Sequence, residues 1–208
     1  MPNLSLSLPQ MERALREQGS RLAPYRVAVP AGVSGKWSVQ KFTVALDLEN
    51  LRYMREGRGC SPGEFTQLRH KDFGVVMSDT DAEIRDFLRY IRCMAGDILV
   101  TGLGLGCVVQ ALSQQNATKS VTVIENSADV LRLVAAHYCD HRVSIIEADA
   151  YKWLPPRGVR FDWAWHDVWN SPSEDDLVGM TKMKRHYQRH MVMPGRQFCW
   201  AENWLRRR

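Results

Sequence analysis

Three glycines at alternating positions, Gly102, Gly104 and Gly106, follow the apolar run Ile98-Leu99-Val100-Thr101 and precede Cys107-Val108-Val109, with Ala111 and Leu112 beyond. This order predicts a short buried strand, a tight turn stripped of Cβ atoms, and an apolar helix behind it. Glycine turns at positive φ without steric cost and lets a ligand come up to the backbone. The spacing matters. A dinucleotide fingerprint, G-x-G-x-x-G, would need its third glycine at position 107, where Cys107 stands.

Downstream, the strand signals recur at about twenty-residue spacing. Val121-Thr122-Val123-Ile124 ends in Glu125 and is followed by the helix-start residues Asn126 and Ser127. A carboxylate ending the second parallel strand can accept both hydroxyl protons of a ribose. A third strand, Val143 to Glu147, runs into Ala148-Asp149-Ala150, and a fourth, Phe161 to Asp167, also ends in polar residues. Alternation of strands with helices predicts an α/β, doubly wound, Rossmann-like sheet.

Ahead of the sheet, Thr80-Asp81-Ala82-Glu83 has capping-box spacing, and Ile84, Phe87, Leu88 and Ile91 follow at one helical face. The first 78 residues read differently. A polar helix around Gln10–Gln18 is followed by β-type alternation over Tyr25–Val29 and Trp37–Val44, with the turn-rich Pro30–Gly35 between them. Phe73–Met77 returns to strand. The expected organisation is a small β-containing region over 1–78 and a nucleoside-binding domain over 79–208. Helix is expected over Glu174–Met191 and a fifth strand over Arg196–Ala201, which leaves the sheet C-terminally shortened.

The G-x-G-x-G turn and the strand-end acids resemble class I S-adenosylmethionine-dependent methyltransferases over about residues 79–201. The β-rich N-terminal piece, the helix entering just before the glycines and the Val-Ile-Glu second strand look most like the spermidine synthase branch. The resemblance implies S-adenosylmethionine as cofactor, with Gly102, Gly104 and Gly106 at the methionine end, Glu125 on the ribose and Asp149 facing the adenine amino group. It also implies departures. Asp167 matches the first aspartate of the aminopropyltransferase segment V-D-S/T-x-D-P, but the second, amine-binding acid is missing from His166-Asp167-Val168-Trp169-Asn170-Ser171-Pro172. The D/N-P-P-Y/F segment of DNA amino-methylating enzymes is not present; Asp167-Val168-Trp169-Asn170 is at most a distant analogue of it.

Methyl transfer to a protonated nucleophile is helped by a base, and His166 and Asp167 stand at the strand end where one is needed. Trp169 and Asn170, just past that end, are the candidate substrate contacts; a tryptophan there suits a cationic group. Trp163 and Trp165 share one strand face and suit core packing. His137 and His141 around Cys139, and His186 with His190, lack a third ligand at zinc spacing, so no metal is expected.

Five widely spaced cysteines without a C-x-x-C pair fit reduced thiols and a cytoplasmic location. No apolar stretch approaches the roughly 18 residues that span a bilayer, and Met1–Gln10 lacks the features of a signal peptide. Between Lys182 and Arg208, eight Lys or Arg residues face the single acid Glu202, in a chain of net charge +5. That basic segment suits an acidic partner such as nucleic acid. The expected function is methyl transfer to an acceptor that the sequence does not name. The alternatives are aminopropyl transfer, or a non-catalytic nucleoside-binding protein that docks on nucleic acid.

Overall fold

The computed structural model describes residues 8–56, 58–170 and 173–207; Ser171 and Pro172 of the loop after the fourth parallel strand lie outside them. Helix α1 (Leu8–Leu22) opens the chain, with Leu15 and Leu22 buried and Arg13–Glu17 and Glu12–Arg16 paired along its exposed face. Strands β1 (Gly32–Ser34) and β2 (Trp37–Val44), helix α2 (Leu48–Arg55), and strands β3 (Gly63–His70) and β4 (Gly74–Ser78) follow. The four strands form an antiparallel meander in chain order.

Two expectations fail here. Tyr25–Val29 has strand periodicity but joins no ladder: the Val27 N–H donates to the buried Asp79 carboxylate at 3.2 Å, and Val27 and Val29 bury into the core. The strand forms instead inside the turn-rich segment, as β1. Only Gly35 and Lys36 are left to turn the hairpin, Gly35 at φ +55°.

The second half runs α3 (Asp81–Ile91), β5 (Gly96–Thr101), α4 (Cys107–Ser113), β6 (Thr118–Glu125), α5 (Ala128–Val134), β7 (Val143–Glu147), β8 (Trp163–His166), α6 (Asp176–Tyr187), β9 (Gln197–Cys199) and α7 (Glu202–Leu205). Its five strands are all parallel, in the order β7-β6-β5-β8-β9. The order reverses at β5. The doubly wound, Rossmann-like sheet is therefore present, with its topological switch point between β5 and β8.

Strand parity divides the core. Ile98, Val100 and Trp165 pack under α3 and α4, together with Val39 and Leu68 of the meander, so one core crosses the 78/79 boundary. Leu99, Ile124 and Ala164 face α6 on the other side. Helix α3 starts where its spacing predicts and buries Ile84, Phe87, Leu88 and Ile91. The capping box is not formed, however. Glu83 accepts from the N–H and hydroxyl of Ser78, both at 2.8 Å, rather than from Thr80. Ser127 does cap α5, accepting from Val130 N.

Buried carboxylates fasten the meander to this frame. Asp79 accepts from Thr66 N at 2.6 Å as well as from Val27. Asp81 accepts from Ser61 N and Gln18 and pairs with Arg26 at 3.0 Å. No described helix is long and apolar enough to cross a membrane.

Candidate nucleoside site and adjoining groove

A cleft of about 230 Å³ opens at the carboxyl ends of β5, β6 and β8, the place where open parallel sheets take ligands. Gly102 and Gly104 form its floor, and Trp37, Leu68 and Met77 of the meander wall it from above. Gly102, Gly104 and Gly106 all have positive φ: +90°, +53° and +77°. Their tightness serves the protein first. A Cβ on Gly102 would sit 1.9 Å from the Asp167 carbonyl oxygen, and one on Gly106 would enter the Tyr138 ring at 2.2 Å. Gly106 does not line the cleft; it packs on Tyr138, whose hydroxyl donates to Leu105 O at 2.6 Å. Leu105 N donates only to the Met77 thioether, at 3.3 Å, a weak acceptor.

Glu125 lines the cleft and is 8% exposed. One carboxylate oxygen accepts from Leu103 N and the other from Ser127 N, each at 2.8 Å. These bonds aim the group and leave each oxygen further acceptor capacity toward the cleft. Asp149 also lines the cleft, but Oδ1 accepts from Tyr151 N at 2.9 Å and Oδ2 lies 3.2 Å from Lys152. The Tyr151 N–H holds its carboxyl below the usual range. Asp149 thus shapes its own turn as well as facing the cleft.

Adjacent residues on a strand face opposite ways, and this separates the two candidate bases. His166 points away from the cleft and is fully buried. Its ring lies 3.0 Å from Thr101 Oγ1, 3.2 Å from Gln197 Oε1, and stacked on Tyr187. Burial pushes its pKa down to about 4, so the ring is neutral and acts as structure rather than as the expected base. Asp167 lines both the cleft and the small cavity on the Glu83 side of it, and is half-buried. Burial, then the charge of Glu83, raise its pKa to about 7; the Trp165 indole N–H pulls weakly the other way from outside hydrogen-bond geometry. A carboxyl that titrates near neutrality is what a general base needs. Trp169 and Asn170 line the cleft beside it, Trp169 half-buried and Asn170 exposed.

Behind Asp167 lies a small cavity lined by Met77, Glu83 and Trp200, and beyond Trp200 a larger groove of about 770 Å³. Cleft and groove share Val76 and Asn170. The groove is walled by Tyr90, Trp165, Trp200 and Trp204 and edged by arginines. Sequence reasoning missed these residues, and also Met77, Trp37 and Leu68. They come from both ends of the chain, and no local spacing marks them.

Among the described residues, no three His, Cys, Asp or Glu side chains gather as a metal site. His186 instead meets Trp153 O at 2.8 Å. Within the basic C-terminal segment, Lys184 and Arg206 both pair with Glu202.

No family model and no curated protein sequence matches the chain. Among solved structures it is similar to the N-methyltransferase NodS from Bradyrhizobium japonicum WM9, at 14% identity over 52% of this chain and TM-score 0.41. It is similar to spermidine synthase from Thermotoga maritima, at 15% over 62% and 0.42. A third is an S-adenosylmethionine-dependent methyltransferase from Clostridium acetobutylicum, at 14% over 54% and 0.37. The chain spans 60%, 50% and 44% of those three proteins. At this level the likeness carries nothing about ligand or reaction.

Proposed function

We propose that the cleft binds S-adenosylmethionine and that the protein is a methyltransferase whose acceptor meets the cofactor beside Asp167. One observation carries this reading. The cleft is lined by three carboxyl groups, Glu125, Asp149 and Asp167, and by no Lys or Arg among the described residues. A pyrophosphate or nucleotide phosphate would be repelled there, whereas a nucleoside bearing a sulfonium and an ammonium is drawn in. The apolar walls Ile124, Ala150 and Val168 suit a planar base.

In this reading Glu125 accepts the ribose hydroxyls and Asp149 stands at the adenine end. When bound, the sulfonium supplies an electrophilic methyl carbon. Asp167 would take the proton that an acceptor loses on methylation. Alignment contributes most of the rate in such an in-line displacement, and a positioned base adds about 10²–10⁴-fold.

Calorimetric titration with S-adenosylmethionine, S-adenosylhomocysteine and decarboxylated S-adenosylmethionine tests the proposal. Micromolar binding of the first two is expected. Preference for the decarboxylated form would make the transferred group aminopropyl, and no binding of any of the three would sink the nucleoside site.

A further inference from the structure

We infer that the groove beyond Trp200 is the acceptor site and that the acceptor is a nucleotide, its base against Trp200 and Trp204 and its phosphate held by Arg89 and Arg207. As an acceptor site it rests on the transfer reading above; as a nucleotide site it stands on its own geometry.

Cleft and groove differ in sign. The cleft is acidic. Of the groove's three arginines, Arg58 is neutralised by Asp86. Arg89 and Arg207 have no carboxylate within ion-pair distance among the described residues; Arg89 lies on the Tyr90 ring, 4.7 Å from its centroid. Glu56 is the groove's one carboxylate without a cation partner among those residues, so the lining remains net positive. Aromatic faces beside guanidinium groups that lack carboxylate partners are the means by which proteins hold a base and its phosphate together. Trp204 is half exposed and Trp200 part-buried. The same positive lining would repel a diamine, which separates this acceptor from a polyamine.

Position supports the assignment. The groove joins the cleft at Val76 and Asn170, and Asp167 stands between the two, lining the cleft on one side and the Trp200 cavity on the other. The buried Trp165 Nε1, without a hydrogen-bond partner, belongs to the same wall. A base nitrogen or ribose hydroxyl presented at that junction has its proton in reach of Asp167. A free nucleotide and a nucleotide within a single strand share this recognition chemistry, and the test tells them apart.

The test uses the intact chain with two probes. A labelled single-stranded oligonucleotide of roughly 12 nucleotides is followed by fluorescence anisotropy, and the four nucleoside monophosphates by calorimetry. Trp204→Ala is expected to weaken whichever probe binds by about tenfold. Arg89→Gln with Arg207→Gln is expected to lower the slope of log affinity against log salt by about 1 to 2, and Arg207→Lys to restore its share. S-adenosylhomocysteine affinity of these variants should match the parent, since none touches the cleft. Tighter oligonucleotide binding assigns a strand, and equal or tighter monophosphate binding assigns the free nucleotide; both support the groove. Failure of both probes, or binding that ignores Trp204→Ala and the double variant, overturns it. If nucleotide binding depends on the groove while S-adenosylhomocysteine does not bind, methyl transfer falls and the nucleotide site stands.

Discussion

Asp167→Asn separates the electrostatics of the cleft from any assumption about catalysis. In the unfolded chain the carboxyl ionises near 3.8, and in the folded protein near 7. Between those values the folded state binds the extra proton, so this group's contribution to stability is present at low pH and lost as pH rises through the window. From about pH 5.5 to about pH 8.5 the loss amounts to about 2 kcal/mol. Asp167→Asn has no proton to surrender. Its stability relative to the parent should therefore climb by about 2 kcal/mol over the same interval, or ~4–8 °C in melting midpoint for a chain of this size. Relief of Glu83, whose charge pushes Asp167 upward, acts in the same direction. Thermal melts of both proteins at matched ionic strength measure it, because other titrating groups cancel in the difference. A midpoint difference that stays flat with pH refutes the burial argument. The same variant should lose about 10²–10⁴-fold in transfer rate, and the parent rate should rise as pH passes about 7.

Other expectations follow from single contacts. Gly102→Ala should cost more than about 3 kcal/mol, because its Cβ meets backbone. Gly158→Ala, at φ +89° with nothing within 4 Å, isolates backbone strain and should cost only about 1 kcal/mol. Equal urea midpoints for the two would show that the close approach to Asp167 is unimportant. Glu125→Ala should weaken S-adenosylhomocysteine binding by about 10- to 100-fold in calorimetry, and unchanged affinity would remove Glu125 from the site. For His166, a folded pKa of about 4 means stability is present above about pH 6.5 and lost as pH falls toward 4. His166→Gln should therefore abolish about 2 kcal/mol of acid sensitivity between pH 7 and about pH 5, read from urea unfolding; an unaltered pH dependence would show that the ring is not held neutral.

The parallel sheet was legible because short β-branched, apolar runs recurred along the chain, three of them ending in an acid at the sheet's carboxyl edge. Val121 through Glu125 and Val143 through Glu147 end this way, the second as an edge strand with Ser144 exposed. What escaped depended on partners remote in sequence. Val27 looked like a strand residue, but a side chain from position 79 took its N–H. Glu83 sat at capping-box spacing, yet it accepts the N–H and hydroxyl of Ser78, while the Thr80 N–H turns to Ser78 Oγ. The glycines were recognisable as a turn, whereas the Asp167 carbonyl and the Tyr138 ring that require two of them appear only in three dimensions. His166 and Asp167 were indistinguishable as candidates because strand parity says that neighbours diverge, not which of them meets the ligand.

Trp37, Leu68 and Met77 cover a cleft whose floor belongs to the other half of the chain. Any molecule seated there touches both sheets at once and is, in effect, a reversible cross-link between them. By linkage, occupancy at a hundredfold excess over the dissociation constant adds about 2.7 kcal/mol to the native state. That gain opposes every partial opening in which the meander lifts from the parallel sheet. The occupied protein should therefore unfold as a single unit, with amide protection rising in β2 and β3 as much as in β5 and β6.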